Sequence, residues 1–413
     1  MQGSAPFLAV ASIALLLSTG GKPNARPQDL CNAPAKDAIV QLDMPGSPFE
    51  PVVSADGCWL FVTFAGRNGA GAGGVAVVHR DAGKLSVVRT APIKGGPTGA
   101  VLTHDGKILI VADGGYVAFL DAARLVSGQG DPVLGYIGDG SQVGFIYANV
   151  TADDKLVFVA AERGAAVIVV NMDRVRAGKI DDSAVTVKFD VGNAPIAVTL
   201  SPDGRHLYTT SEVALPEWKW PDVCAPEAAA GGRGVRRMAP PNHGQGAIIV
   251  FDVARALADP AHSAISRVAA GCGTVRLVLS PDGATAYVTA RADNSLLAFD
   301  AQRLVTDPAH ALLGTVDVGV APVGIAVVDS GARVVVTSSN RFAGNAGDHQ
   351  PLAIVDAAKL RAGGKNAKIG EIPAGGFPRE LRLAPDGRTL FLTNFTSMTL
   401  EMIDVARALP AAR

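Results

Sequence analysis

The chain has no run of five or more lysines and arginines, and its formal net charge is −1. Nucleic-acid binding and a polybasic membrane anchor both need concentrated positive charge, so neither partner is expected. Charged residues make up only 18% and aromatics 5% of the 413 residues, which leaves little material for long solvated helices. The apolar run at residues 5–17 is 13 residues long, short of the roughly 18 to 20 that a spanning helix requires. HExxH, GxSxG, CxxCH, GxxxxGK[ST] and CxxC are all missing, so no familiar metal, nucleophile, haem or phosphate signature directs the reading. The GAGAGG stretch at residues 69–74 lies between two predicted strands, where it reads as a flexible hairpin.

What is abundant is glycine and proline, 47 and 26 residues, within a composition that is 48% apolar. Many short buried strands joined by tight turns have this composition. Residues 279–300, LSPDGATAYVTARADNSLLAFD, show the unit: a strand, an Asp-Gly turn, a second strand, and a third strand closed by an aspartate. Its turn aspartate recurs as Asp56, Asp105, Asp153, Asp203, Asp282 and Asp386, with Ser330 in the same slot. Eight residues before each stands Pro48, Pro97, Pro195, Pro322 or Pro378, with Phe145 and Thr274 as exceptions.

A repeat of about 50 residues carrying four short strands predicts a β-propeller, whose blades bury their faces against one another. The seventh unit has too little chain after Asp386 for a fourth strand, and residues 39–46, IVQLDMPG, fit the fourth-strand pattern. The expected fold is therefore all-β, a seven-bladed propeller of four-stranded antiparallel blades closed by the N-terminal strand. Residues 1–20 read as a secretory signal, 21–37 as a linker and 38–413 as one propeller, giving an exported, secreted or periplasmic protein expected to be monomeric.

SPDGATAYVTA, SPDGRHLYTTS and APDGRTLFLTN resemble the YVTN-type β-propeller repeat family over about residues 38–410. No Trp-Asp dipeptide closes a third strand, unlike WD repeats. Asp153-Asp154, where the turn glycine is lost, and Ser330-Gly331, where the aspartate is lost, depart from the pattern.

Two units carry insertions between strands two and three, at residues 213–246 and 341–351. The meander places both on one rim, opposite the Asp-Gly turns. The same topology puts Cys31 with Cys58 on the turn face and Cys224 with Cys272 on the insertion rim, so these are the expected disulfides. Two positions after the proline slot stand Glu50, Gly99, Tyr147, Ala197, Arg276, Gly324 and Glu380, with Asn149, Arg379 and Arg382 nearby. They are expected to face the channel and form a polar mouth for an anionic or hydroxylated ligand. Trp218, Trp220, His243, Arg341 and His349 form the candidate rim, where two histidines and Asp348 could hold a metal ion. No other cofactor is expected.

These features give one leading reading and two alternatives. The leading reading is an exported binding or scaffold propeller holding a protein or small molecule at the insertion rim and channel mouth. The first alternative is an enzyme resembling the seven-bladed lactonases, with channel-mouth Glu and Arg groups and a rim histidine activating water against a sugar lactone. The second resembles redox-cofactor propellers and rests on fold analogy.

Overall fold

The computed structural model describes residues 30–66, 72–141, 143–221, 223–224, 245–340 and 350–408. The expected signal, residues 1–20, and the rim residues His243, Arg341 and His349 lie outside them.

Seven four-stranded antiparallel sheets form the ring. Their innermost strands are Ser47–Val53, Ala100–Leu102, Phe145–Val150, Asn193–Leu200, Thr274–Leu279, Pro322–Val328 and Pro378–Leu383, which define blades one to seven. Seven buried apolar clusters lie between neighbouring blades. Ile108 and Ile110 of blade two, for instance, pack with Val157 and Val159 of blade three. Each blade thus buries its faces on the next, as the repeat pattern requires.

Four of the Asp-Gly turns are built alike: the Ser or Thr two residues ahead donates to the aspartate, as Ser201 does to Asp203 and Ser280 to Asp282, whereas Asp386 follows Ala384 and accepts from Thr389. The glycines of five turns sit at φ of 65° to 74°, a region that a side chain would strain. Asp154 adopts φ 55° in place of glycine. Its carboxylate accepts from the backbone N–H groups of His104 and Asp105 at 2.8 and 2.9 Å, tying blade three to blade two. At the far end of the third strand Asp121, Asp252, Asp300 and Asp356 each cap a short helix by accepting the N–H three residues on.

Ile39–Asp43 pairs with Thr399–Asp404 and completes blade seven. Cys31 and Cys58 are bridged nearby, with Cα atoms 4.9 Å apart, and Cys224 is bridged to Cys272 at 5.7 Å. Arg80 of blade one, 2% exposed, reaches into blade seven and donates to Asp386 at 3.0 Å, Thr389 at 2.7 Å and Asn32 at 3.1 Å. Removing one partner of a buried ion pair typically costs about 3 to 5 kcal/mol. Arg80→Ala is expected to lower the denaturation midpoint markedly, and an unchanged midpoint would show that the closure does not rely on this contact.

A recurring irregularity turns the inner strands toward the axis. In blades one, four, five, six and seven the pairing of strands one and two shifts register just after the proline slot. The bulge releases the N–H of the residue two after that slot, and a strand-two threonine accepts it: Thr63, Thr210, Thr289, Thr337 and Thr393 take the N–H of Glu50, Ala197, Arg276, Gly324 and Glu380. Each threonine then donates to a carbonyl of the next blade, for example Thr63 to Thr98 at 2.5 Å and Thr393 to Phe49 at 2.7 Å. The threonine of the repeated YVT-like phrase therefore stitches blades together and fixes the positions that face the axis.

Candidate functional site

Glu50, Tyr147, Ala197, Arg276 and Glu380, five of the positions two after the proline slot, line one axial cavity of about 240 Å³. Gly99 and Gly324 leave no room in it. A Cβ on Gly99 would meet the Tyr147 ring at 2.5 Å, and one on Gly324 would meet the Arg379 carbonyl at 2.4 Å. Their role is close approach of neighbouring blades.

Two ion pairs meet in the cavity. Arg276 Nε donates to both carboxylate oxygens of Glu380 at 3.1 and 3.3 Å, and its Nη2 donates to Oε1. The Tyr147 hydroxyl donates to the same Oε1 at 2.6 Å, while the Arg276 guanidinium carbon stands 3.5 Å from the Tyr147 ring centroid. Tyr147 thus holds both ends of the pair, through a hydrogen bond and a cation–π contact. Arg382 Nη2 donates to Glu50 Oε1. Glu50 Oε2 and Arg276 Nη1 are buried without a hydrogen-bond partner, leaving an acceptor and a charged donor unused.

Burial pushes the Glu50 carboxyl up from 4.5 to about 7, overcoming the opposing pull of Arg382, and the negative charge of Glu380 adds to the rise. A carboxyl with that pKa can exchange a proton near neutral pH.

The cavity opens toward the Asp-Gly turns. Its walls continue along the inner strands toward the Asp-Gly turns, through Asn149, Thr199, Val278 and Arg382, and no described residue of the strand two to three connections lines it. Arg382 has a 49% exposed side chain, whereas Glu50 is 3%, Glu380 6% and Arg276 8% exposed. On the insertion side, Ile196, Val275 and Val323 pack with Ile146 and Tyr147 in one cluster. Ile146, Ile196, Val275 and Val323 each stand one after the proline slot, and they form an apolar layer on that side of the cavity. Arg379, expected at the mouth, belongs to the same layer: its guanidinium carbon is 3.7 Å from the Phe49 ring centroid and it does not line the cavity. Among the described residues, those that line the cavity and those of the strand two to three connections do not coincide.

On the rim, Trp218 and Trp220 are half-buried, with ring centroids 5.1 Å apart and Arg267 beside Trp218. They pack on the cluster containing Phe189, Val191 and Phe251, between blades three and four. Among the described residues, no histidine lines the axial cavity and no group of three His, Cys, Asp or Glu is placed to hold a metal ion. Asp113 is fully buried with both oxygens unpartnered, and burial raises it to about 8, but it lies outside the cavity.

Residues 234–409 match the family model described as lactonase, 7-bladed beta-propeller. No curated protein matches the sequence. Three solved structures are similar at TM-scores of 0.61, 0.61 and 0.57: Kuenenia stuttgartiensis hydrazine synthase, a mitotic checkpoint complex, and PpgL, the periplasmic gluconolactonase of Pseudomonas aeruginosa. Their identities are 17%, 14% and 19%. The matches cover 89%, 96% and 84% of this chain and 97%, 99% and 88% of the matched chains. At such identities the likeness is one of fold.

Proposed function

We propose that the protein is an exported, lactonase-like hydrolase that opens a lactone in the axial cavity. The observation that carries this reading is the pairing of Glu50, a buried carboxyl with a free oxygen and a pKa near neutrality, with the free Nη1 of Arg276. The partial match to a lactonase family and the fold shared with a gluconolactonase favour hydrolysis over a binding scaffold. The disulfides and the apolar residues 5–17 favour export.

Water positioned by Glu50 Oε2 attacks the lactone carbonyl carbon as its proton passes to the carboxylate. The carbonyl electron pair moves onto oxygen, where the Arg276 guanidinium offsets the developing charge. Collapse of the tetrahedral intermediate breaks the ring C–O bond, and the proton held by Glu50 goes to the departing alkoxide. One water is consumed and a hydroxy acid is released. Glu380 and Tyr147 hold Arg276 in place, and the exposed Arg382 meets substrate at the entrance. This gives to Glu50 and Arg276 the part that the sequence reading shared among channel-mouth Glu and Arg groups and a rim histidine.

Tyr147→Phe keeps the ring beneath Arg276 and removes only the hydroxyl bond to Glu380. A hydrogen bond to a charged group contributes about 1.5 to 3 kcal/mol, so kcat/KM is expected to fall about 10- to 100-fold. Unchanged kinetics on gluconolactone would remove Tyr147 from the positioning of Arg276.

A further inference from the structure

The axial cavity does not end at its entrance. A groove of about 690 Å³ runs across the Asp-Gly face between blades three and four, and Asn149 lines both spaces. The two inner strands pass from one into the other. Residues 147–149 and 197–199 wall the cavity, and 149–153 and 200–204 wall the groove. Asn149 is fixed at the junction, donating through Nδ2 to Val198 at 3.1 Å and accepting from the Val150 N–H at 2.9 Å. The junction is therefore built of strand residues, and the turns at 151–153 and 201–204 wall the groove beyond it.

The groove is lined by apolar Val150, Leu200 and Pro202 and by polar residues that include Thr151, Asp153 and Asp203. An apolar surface beside hydrogen-bonding groups suits a pyranose, whose C–H face packs on the apolar residues while its hydroxyls reach the polar ones. Lys155 is paired with Asp153, Arg205 with Asp203 and the His104 ring with Asp154, while Asp173 adds a negative charge, which disfavours a phosphate or carboxylate there.

Resting on the lactonase reading, we infer that the substrate is a lactone bearing a second, neutral sugar unit: the lactone ring enters the axial cavity and the second unit lies in the groove. Both cavities are then occupied by one molecule.

The test compares gluconolactone with the 1,5-lactone of the cellobiose aldonic acid, in wild type and in Ala152→Trp. Ala152 is exposed and lines the groove, so tryptophan there fills it without entering the core. Wild type is expected to prefer the disaccharide lactone by about tenfold or more in kcat/KM, and Ala152→Trp to lose most of that preference while gluconolactone turnover stays within about twofold. Equal kcat/KM on the two substrates in wild type, or an equal loss on both in the variant, overturns the extended substrate and leaves the hydrolase reading standing. No turnover of either lactone removes the hydrolase reading and the extension with it.

Discussion

Glu50→Gln is expected to lower kcat/KM for lactone opening by about 10²- to 10⁴-fold, the range for loss of a positioned general base. The amide keeps the shape of the carboxyl and cannot take the proton of water. Stability should move the other way. Because the folded pKa is raised from 4.5 to about 7, ionising Glu50 opposes folding. The native state holds the proton more tightly than the unfolded chain, so wild-type stability from this group falls between pH 4.5 and 7 and is flat above. Glu50→Gln removes that slope. Denaturation at pH 8 should find the variant at least as stable as wild type, with Arg382 free to turn to water. A variant that loses stability and activity together would mark Glu50 as a structural residue.

Removing Glu380 has a different signature. Glu380→Ala leaves the buried Arg276 guanidinium without its main partner, at a typical cost of about 3 to 5 kcal/mol. Turnover should collapse as well, because Arg276 loses its position under the carbonyl oxygen. Replacing both members by apolar residues, Arg276→Met with Glu380→Leu, is expected to recover much of the stability and none of the activity. Buried pairs are often no more stabilising than apolar groups of similar size, which is why the two losses can be separated. A double variant that turned over lactone would place the chemistry elsewhere.

Much of this arrangement is legible in the sequence because a propeller is a periodic object. The spacing of the Asp-Gly turns gives seven blades, the fourth-strand pattern at residues 39–46 predicts the closing strand, which Ile39–Asp43 forms, and the faces of the meander pair the four cysteines. Counting two residues from the proline slot gathers Glu50, Tyr147, Arg276 and Glu380 from four blades into one cavity. What escapes is the consequence of the bulge. Adjacent residues of a regular strand face opposite sides, whereas here Arg379 and Glu380 both reach the channel region, at different depths. Arg379 stacks on Phe49 in the apolar layer and Glu380 lines the cavity. The signal for this was the threonine of the YVT-like phrase, present as Thr63, Thr289 and Thr393 opposite the three charged positions. The direction in which the cavity opens was hidden for another reason. It depends on Ile196, Val275 and Val323 of three consecutive blades packing together, a contact that no local pattern announces.

The most direct test of the axial site is the pH dependence of kcat/KM for gluconolactone, corrected for spontaneous ring opening. Glu50 is protonated and unable to accept a proton below about pH 7, so the wild-type rate should rise with pH through a midpoint near that value. In Glu50→Gln this limb should be absent. A wild-type profile flat from pH 5 to 8, or the same limb persisting in Glu50→Gln, would contradict Glu50 as the base.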